Sequence, residues 1–143
     1  MPNSGLALRM MMAQYSQNSA RTLKWADKRL QDTFNDLIHT FDCTILCSYR
    51  DKIGQDEAVA AGNSKVQWPN SKHNQLPSLA VDAAPYFATE PHIRWDNKLA
   101  FAYMAGQVVA IGRKNGINIR WGGDFDMDNN PTDWDWGHFE VKA

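Results

Sequence analysis

The sequence predicts an α+β fold in which two main helices pack on a small, mostly antiparallel sheet. Two long stretches, residues 18–41 and 96–114, carry apolar side chains at helical spacing. Four shorter apolar or alternating stretches have the pattern of strands and are well separated along the chain. Long helices combined with short, scattered strands are typical of α+β domains.

The first half of the chain begins with the long amphipathic helix. Between residues 18 and 41 the apolar side chains fall on one face, and Ser19 is a candidate N-terminal cap. The short apolar run after this helix indicates a buried strand, and the polar stretch that follows is typical of a loop. The elements predicted next are strand 43–47, helix 55–61 and loop 63–78.

The second half of the chain contains three more predicted strands and the second long helix. Strand 79–83 ends before Pro85, and Gly116 is the expected stop of helix 96–114. The residues expected on the buried face of this helix are Leu99, Met104, Val108 and Ile111. The last predicted elements are strand 117–121, a turn at 129–131 and strand 138–141.

Length and charge limit the classes of function. We expect one domain at residues 18–143, preceded by a loose extension at residues 1–17 in which Met10–Met12 offers an alternative start. The 15 Lys and Arg residues nearly balance the 16 Asp and Glu residues, which disfavours binding to nucleic acid or to an anionic membrane. Arg9 interrupts the apolar stretch near the N-terminus, so neither a secretory signal nor a membrane span is predicted. A monomer is expected.

The two cysteines, Cys43 and Cys47, lie in the predicted strand 43–47. In an extended strand their Cα atoms would be roughly 13 Å apart, which is too far for a disulfide. Their spacing places both on one face of the strand, and we expect both to be buried, reduced and structural. This favours synthesis in a reducing cytoplasm.

Two distant segments contain the residue types of a hydrolytic zinc site. A catalytic zinc ion takes three protein ligands, leaves a position open for water, and needs a carboxylate near that water. His73 and Asp82 in the first segment and His138 in the second can supply the ligands, and Asp135 can supply the base. Asp82 follows an apolar run, and a nearby cation would compensate for burying its charge.

These segments resemble the zinc peptidases of bacterial cell-wall peptides. That group contains VanY-type D-alanyl-D-alanine carboxypeptidases and the L-alanyl-D-glutamate endopeptidases of phage endolysins. Its pattern Ser-x-His-x-x-Gly-x-Ala-x-Asp corresponds to residues 71–82, and its acidic residue followed three positions later by His corresponds to Asp135 and His138. Tyr49-Arg50 and the segment 121–124 resemble further family motifs. The resemblance covers residues 20 to 141.

The resemblance implies a mechanism for the named residues. His73, Asp82 and His138 would bind zinc, Asp135 would act as general base, and Arg50 would stabilise the oxyanion. Ser71 is expected to bind substrate or to orient a ligand. Glu140 is expected to support a ligand imidazole, and the equally favoured alternative is that it is an ordinary strand carboxylate. His73 and Asp82 are nine positions apart rather than the family's seven, and we predict that the extra residues form a bulge at 75–78.

A second metal site is suggested by alternating acidic residues. Asp124, Asp126 and Asp128 have nearly the oxygen spacing of a calcium loop, with Asn129 where glycine is usual. A solvated acidic turn is the alternative. A bound calcium ion would order the loop that carries Asp135.

The resemblance implies a peptidoglycan substrate and favours an endolysin that cuts the L-alanyl-D-glutamate bond. Such an enzyme would be made in the cytoplasm and would act on the wall after release. The alternatives are a D-alanyl-D-alanine carboxypeptidase on the same polymer, a zinc-containing module that binds the wall without cleaving it, and clusters that are structural and hold no metal. Retention of the acidic Asp135 argues against the non-catalytic module.

Overall fold

The computed structural model describes residues 13–142. Within these residues, four helices and one four-stranded antiparallel sheet confirm the α+β class. The helices are α1 Gln17–Leu23, α2 Lys28–Leu37, α3 Lys52–Ala60 and α4 Lys98–Lys114, with a 3₁₀ helix at Lys72–Asn74. The strands are β1 Cys43–Cys47, β2 Ala80–Pro85, β3 Ile119–Trp121 and β4 His138–Val141, and their order in the sheet is β1-β2-β4-β3.

The prediction of a single helix at residues 18–41 is wrong, because the helix is interrupted between α1 and α2. The Ser78 backbone N–H donates to the Trp25 carbonyl at 2.8 Å, and the Asp27 N–H donates to the Ser78 carbonyl at 2.8 Å. The Asp27 carboxylate then caps α2 by accepting from the Arg29 N–H. A pairing with a residue some fifty positions away therefore replaces the helical bonds that the local pattern predicts.

The remaining elements lie close to their predicted positions. Helix α3 begins at Lys52, three residues before the predicted start, because the Asp51 side chain caps it. Met104 and Val108 on α4 are fully buried as expected, whereas Leu99 is 84% exposed and does not belong to the buried face. The predicted extension at residues 1–17 lies mostly outside the described residues, although the Tyr15 hydroxyl donates to the Phe34 carbonyl at 2.6 Å. No helix in the described part of the chain has the length and apolar character to cross a bilayer.

The core forms on one face of the sheet. Phe34 of α2 packs edge-on against Phe139 of β4 with ring centroids 5.6 Å apart, and Val81 of β2 is also fully buried. Because side chains alternate along a strand, the residues on either side of Phe139 point to the opposite face. That second face carries polar side chains and forms the floor of a large cavity.

Candidate metal centre and active site

Strand register brings Asp82 and His138 together. Asp82 of β2 lies directly opposite His138 of β4, and the His138 Nδ1 is 3.2 Å from the Asp82 Oδ1. His73 approaches from the 3₁₀ helix, with its Nε2 3.2 Å from the same Oδ1. Two imidazole nitrogens therefore lie 3.2 Å from one carboxylate oxygen, although the residues that provide these three atoms span 65 positions of the sequence.

The orientation of His73 is fixed by backbone atoms. Its Nδ1 lies 2.6 Å from the Ser48 carbonyl, which can only accept, so Nδ1 carries a proton and Nε2 is the nitrogen that can bind an ion once the ring is neutral. The Ser71 hydroxyl accepts from the His73 N–H and caps the 3₁₀ helix, and Asn74 completes the capping box. Ser71 also lines the cavity, where its expected contact with substrate stays a prediction.

His138 is oriented by a carboxylate instead. Its Nε2 lies 2.8 Å from the Glu140 Oε1, and Glu140 is only 4% exposed. A carboxylate accepts, so Nε2 carries the proton and Nδ1 faces Asp82 and His73. Burial raises the pKa of Glu140, but the His138 and Arg120 side chains outweigh burial and lower it to about 2.

The electrostatics of this cluster suit a cation. Burial alone would lower the pKa of both imidazoles, but the Asp82 carboxylate raises it to about 10 for His73 and, together with Glu140, to about 9 for His138. Burial opposes ionisation of Asp82, yet the two imidazoles hold its pKa well below the usual range. Two nitrogens and one oxygen beside an open cavity form the donor set of a catalytic zinc site, so the residues present fit that ion.

Cys47 also lies beside this cluster, which corrects the prediction for the cysteines. The pairing of β1 with β2 shifts register between Ile45 and Cys47, so Cys47 lies opposite Asp82 while Cys43 lies in the core. The Cys47 Sγ is 3.8 Å from the His73 Nδ1, and Cys47, His73 and Asp82 offer ligand atoms that all lie within 4.8 Å of one another. We favour His138 over Cys47 as the third ligand because the His138 Nδ1 lies 3.2 Å from the Asp82 Oδ1, the oxygen that the His73 Nε2 also contacts.

Asp135 lies at the edge of the cluster. Its Oδ2 is 3.9 Å from the His138 Nδ1, and burial raises the pKa of its carboxyl group. The Asp135 N–H donates to the Gly122 carbonyl at 3.1 Å. A Cβ at Gly122 would lie 2.9 Å from the Asp135 Cβ and would overlap the Asp135 carbonyl oxygen, so this close approach requires glycine.

Arg50 lies on the other side of Asp82. Its Nη2 is 3.5 Å from the Asp82 Oδ2, and its Nη1 donates to the Gln55 Oε1 at 3.0 Å. Gln55 is fully buried and also accepts from the Asn74 amide at 3.1 Å, so it ties Arg50 to the segment that carries His73. The Arg50 side chain is 17% exposed, which does not fit a solvent-exposed salt bridge.

A cavity of about 1290 Å³ opens over the cluster. This volume exceeds the usual range for sites that enclose a single small molecule. Its walls include five aromatic side chains from two segments, residues 95–101 and 125–136. They are Trp95, Phe101, Phe125, Trp134 and Trp136. A groove of this size can accommodate an extended polymer.

The three acidic residues of the suggested calcium loop are close together. One carboxylate oxygen from each of Asp124, Asp126 and Asp128 lies within 4.8 Å of the others. Backbone N–H groups already donate to this cluster, including that of Asn129 to the Asp124 Oδ2 at 3.0 Å. Exposed acidic turns often have this geometry, so calcium binding stays a prediction.

Comparisons with known proteins identify a family and relatives of this chain. A family model described as phage L-alanyl-D-glutamate peptidase matches residues 11–141. The chain is 26% identical over 139 residues to the L-alanyl-D-glutamate peptidase of Escherichia phage T5. This alignment covers 92% of this chain and 99% of that relative. It also resembles the L-Ala D-Glu endopeptidase ChiX of Serratia marcescens, with a TM-score of 0.72, 21% identity, and coverage of 93% of this chain and 92% of that chain. At this identity the structural likeness shows a shared fold.

Proposed function

The chain belongs to the phage L-alanyl-D-glutamate peptidase family, and we propose that it is a zinc-dependent peptidase that cleaves the L-alanyl-D-glutamate bond in the stem peptide of peptidoglycan. The observation that carries this proposal is that His73 and His138 both contact the Asp82 carboxylate, with Asp135 beside His138. When bound, the zinc ion would supply Lewis-acid chemistry, lowering the pKa of water and polarising the scissile carbonyl.

Asp135 is the group that would move protons. Its carboxylate would accept a proton from the attacking water as the water oxygen bonds to the carbonyl carbon. When the carbon–nitrogen bond breaks, the same carboxyl group would deliver that proton to the leaving amine of the D-glutamyl residue. Burial raises the pKa of Asp135, which makes it a stronger base than an exposed aspartate.

Arg50 would stabilise the charge that develops on the carbonyl oxygen. The guanidinium group lies on the opposite side of Asp82 from His138 and is held by Gln55. Because Gln55 and Asp82 fix the guanidinium before substrate arrives, little reorganisation is needed during the reaction. An arginine keeps its charge at every working pH.

The wall is the proposed site of action, reached after the enzyme leaves the cell that makes it. The large volume of the cavity supports a polymeric substrate rather than a free dipeptide. The cationic side chains that line it, apart from Arg50 and Arg120, are Lys65, Lys72 and Lys98. They complement the carboxylates of a stem peptide.

Digestion of purified peptidoglycan tests this proposal. Mass analysis of fragments from the native chain should show new N-terminal D-glutamyl peptides and muramyl-L-alanine ends. Asp135→Ala should retain the metal and lose about 10²- to 10⁴-fold in rate, whereas Asp36→Ala, at an exposed position on α2, should digest normally. Release of free D-alanine would instead indicate the carboxypeptidase, and binding of the polymer without fragments would indicate a non-catalytic module.

A further inference from the structure

A row of alternating charges crosses the cavity floor beyond the metal centre. Arg120 of β3 lies directly opposite Glu140 of β4, and its Nη2 donates to the Glu140 Oε2 at 2.7 Å. The other oxygen of Glu140, Oε1, accepts from the His138 Nε2 at 2.8 Å. Both carboxylate oxygens are thus used, one toward each neighbour, which fixes the plane of the carboxylate.

The same register connects this row to the rest of the cluster. Glu140 and His138 are two positions apart on β4 and share a face, and His138 lies opposite Asp82 on β2. The position of the Glu140 carboxylate therefore determines which imidazole nitrogen is protonated and where the ring points. Arg120 is the only side chain besides His138 that donates to Glu140 among the described residues.

Among the described residues, the ion pair that Arg120 forms is the one with Glu140. Its side chain is 27% exposed, and its buried Nε has no hydrogen-bond partner in the described part of the chain. The Phe125 ring lies 5.9 Å from the guanidinium carbon and 5.8 Å from the His138 ring centroid. This ring borders the Arg120–Glu140–His138 row, in which Glu140 is buried and therefore has little contact with competing water.

We propose that Arg120 is a positioning residue for the metal centre: by fixing Glu140, it holds His138 with Nδ1 turned toward the ion, so that zinc affinity depends on a side chain that does not touch the metal. This inference rests on the proposed function, because it assumes that His138 is a zinc ligand. Residues that orient a ligand imidazole commonly change metal affinity when they are substituted.

Zinc dissociation constants, measured by competition with a chromogenic chelator, test this proposal. Glu140→Gln should weaken zinc binding by about 10- to 100-fold and Arg120→Met by about tenfold. The double variant should bind zinc no more weakly than Glu140→Gln alone, because both changes act through one carboxylate. Arg120→Lys should recover part of the loss, and Arg113→Met, which removes an exposed arginine at the end of α4, should bind zinc as the native chain does.

Zinc binding equal to native in Arg120→Met, or losses that multiply in the double variant, would overturn the proposal. A second measurement needs no substitution. In nitrogen-15 spectra of the zinc-loaded native protein, His138 should carry its proton on Nε2, and a proton on Nδ1 would also overturn it. If the native chain neither binds zinc nor cleaves peptidoglycan, the proposed function fails as well, whereas a native chain that does both limits the failure to Arg120.

Discussion

The two walls of the cavity are held by different kinds of contact. The first wall, residues 47–50 and 71–82, is tied together by hydrogen bonds to backbone carbonyls: the Arg50 N–H donates to the His73 carbonyl at 2.8 Å, and the Ser78 hydroxyl donates to the Ser48 carbonyl at 2.8 Å. The loop wall, residues 122–137, contains no helix or strand. It is anchored mainly near its ends, where Asp133 and Asp135 bond to the glycines at 123 and 122.

This difference separates two parts of the proposed chemistry. Two of the three proposed ligands, His73 and Asp82, belong to the first wall, and the third, His138, begins strand β4. The proposed base, Asp135, belongs to the loop wall. We therefore expect changes in the loop wall to reduce turnover while zinc stays bound, and substitution of the proposed ligands His73 or Asp82 themselves to remove the metal.

Substitution of Arg50 tests the first wall with the largest expected effect. Arg50→Met removes the donor proposed for the developing oxyanion and should lower kcat by about 10²- to 10³-fold. Zinc content should stay near one ion per chain, because Arg50 is not a ligand. Arg50→Lys keeps the charge but loses the planar guanidinium, so its kcat should lie between those of the native chain and Arg50→Met. Normal kcat in Arg50→Met would remove Arg50 from the mechanism.

Substitution of Gly122 tests the loop wall. The new methyl group in Gly122→Ala would overlap the Asp135 backbone and displace the proposed base. A shift of about 1 Å at a reacting group can cost about 10²-fold in rate, so kcat should fall while zinc affinity holds. Gly106→Ala is the matched control, since a Cβ there meets no atom within 4 Å and α4 should become slightly more stable. Equal kcat in both variants would contradict this picture of the loop.

Thermal stability should fall with rising pH in the metal-free protein, whereas the stabilisation caused by zinc should increase with rising pH. The pKa values of His73, about 10, and His138, about 9, lie above the unfolded value of 6.5. Without metal, their stabilising effect is fully present below pH 6.5 and is lost as the pH rises through 9 and 10. Zinc needs neutral imidazoles, so the increase in Tm caused by zinc should grow over that range. A zinc-induced increase that shrinks as pH rises would count against these ligands.

Calcium should give the smallest effect. If Asp124, Asp126 and Asp128 bind calcium, the ion would order the loop wall and raise the activity of chelator-treated, zinc-reloaded protein as calcium is titrated. Asp126→Asn should shift that titration to higher calcium concentration without changing zinc content. A flat activity curve would mean that these residues form a solvated acidic turn.

The sequence predicted much of the candidate site because the proposed chemistry depends on residue types that are rare in apolar surroundings. His73, Asp82, Asp135 and His138 could be selected in this way, and the structure brings them together. Neither the bulge that turns Cys47 toward His73 nor the pairing of Arg120 with Glu140 could be predicted, since both depend on strand register. The helix break at residues 25–27 could not be predicted either, because it depends on pairing with Ser78, which is distant in the sequence.

X-ray absorption of the zinc-loaded native protein tests the central claim most directly, because it distinguishes the ligand set with His138 from the one with Cys47. We predict one zinc ion per chain with only nitrogen and oxygen ligands, at about 2.0–2.2 Å. A sulfur ligand at about 2.3 Å would place Cys47 on the metal and contradict the account.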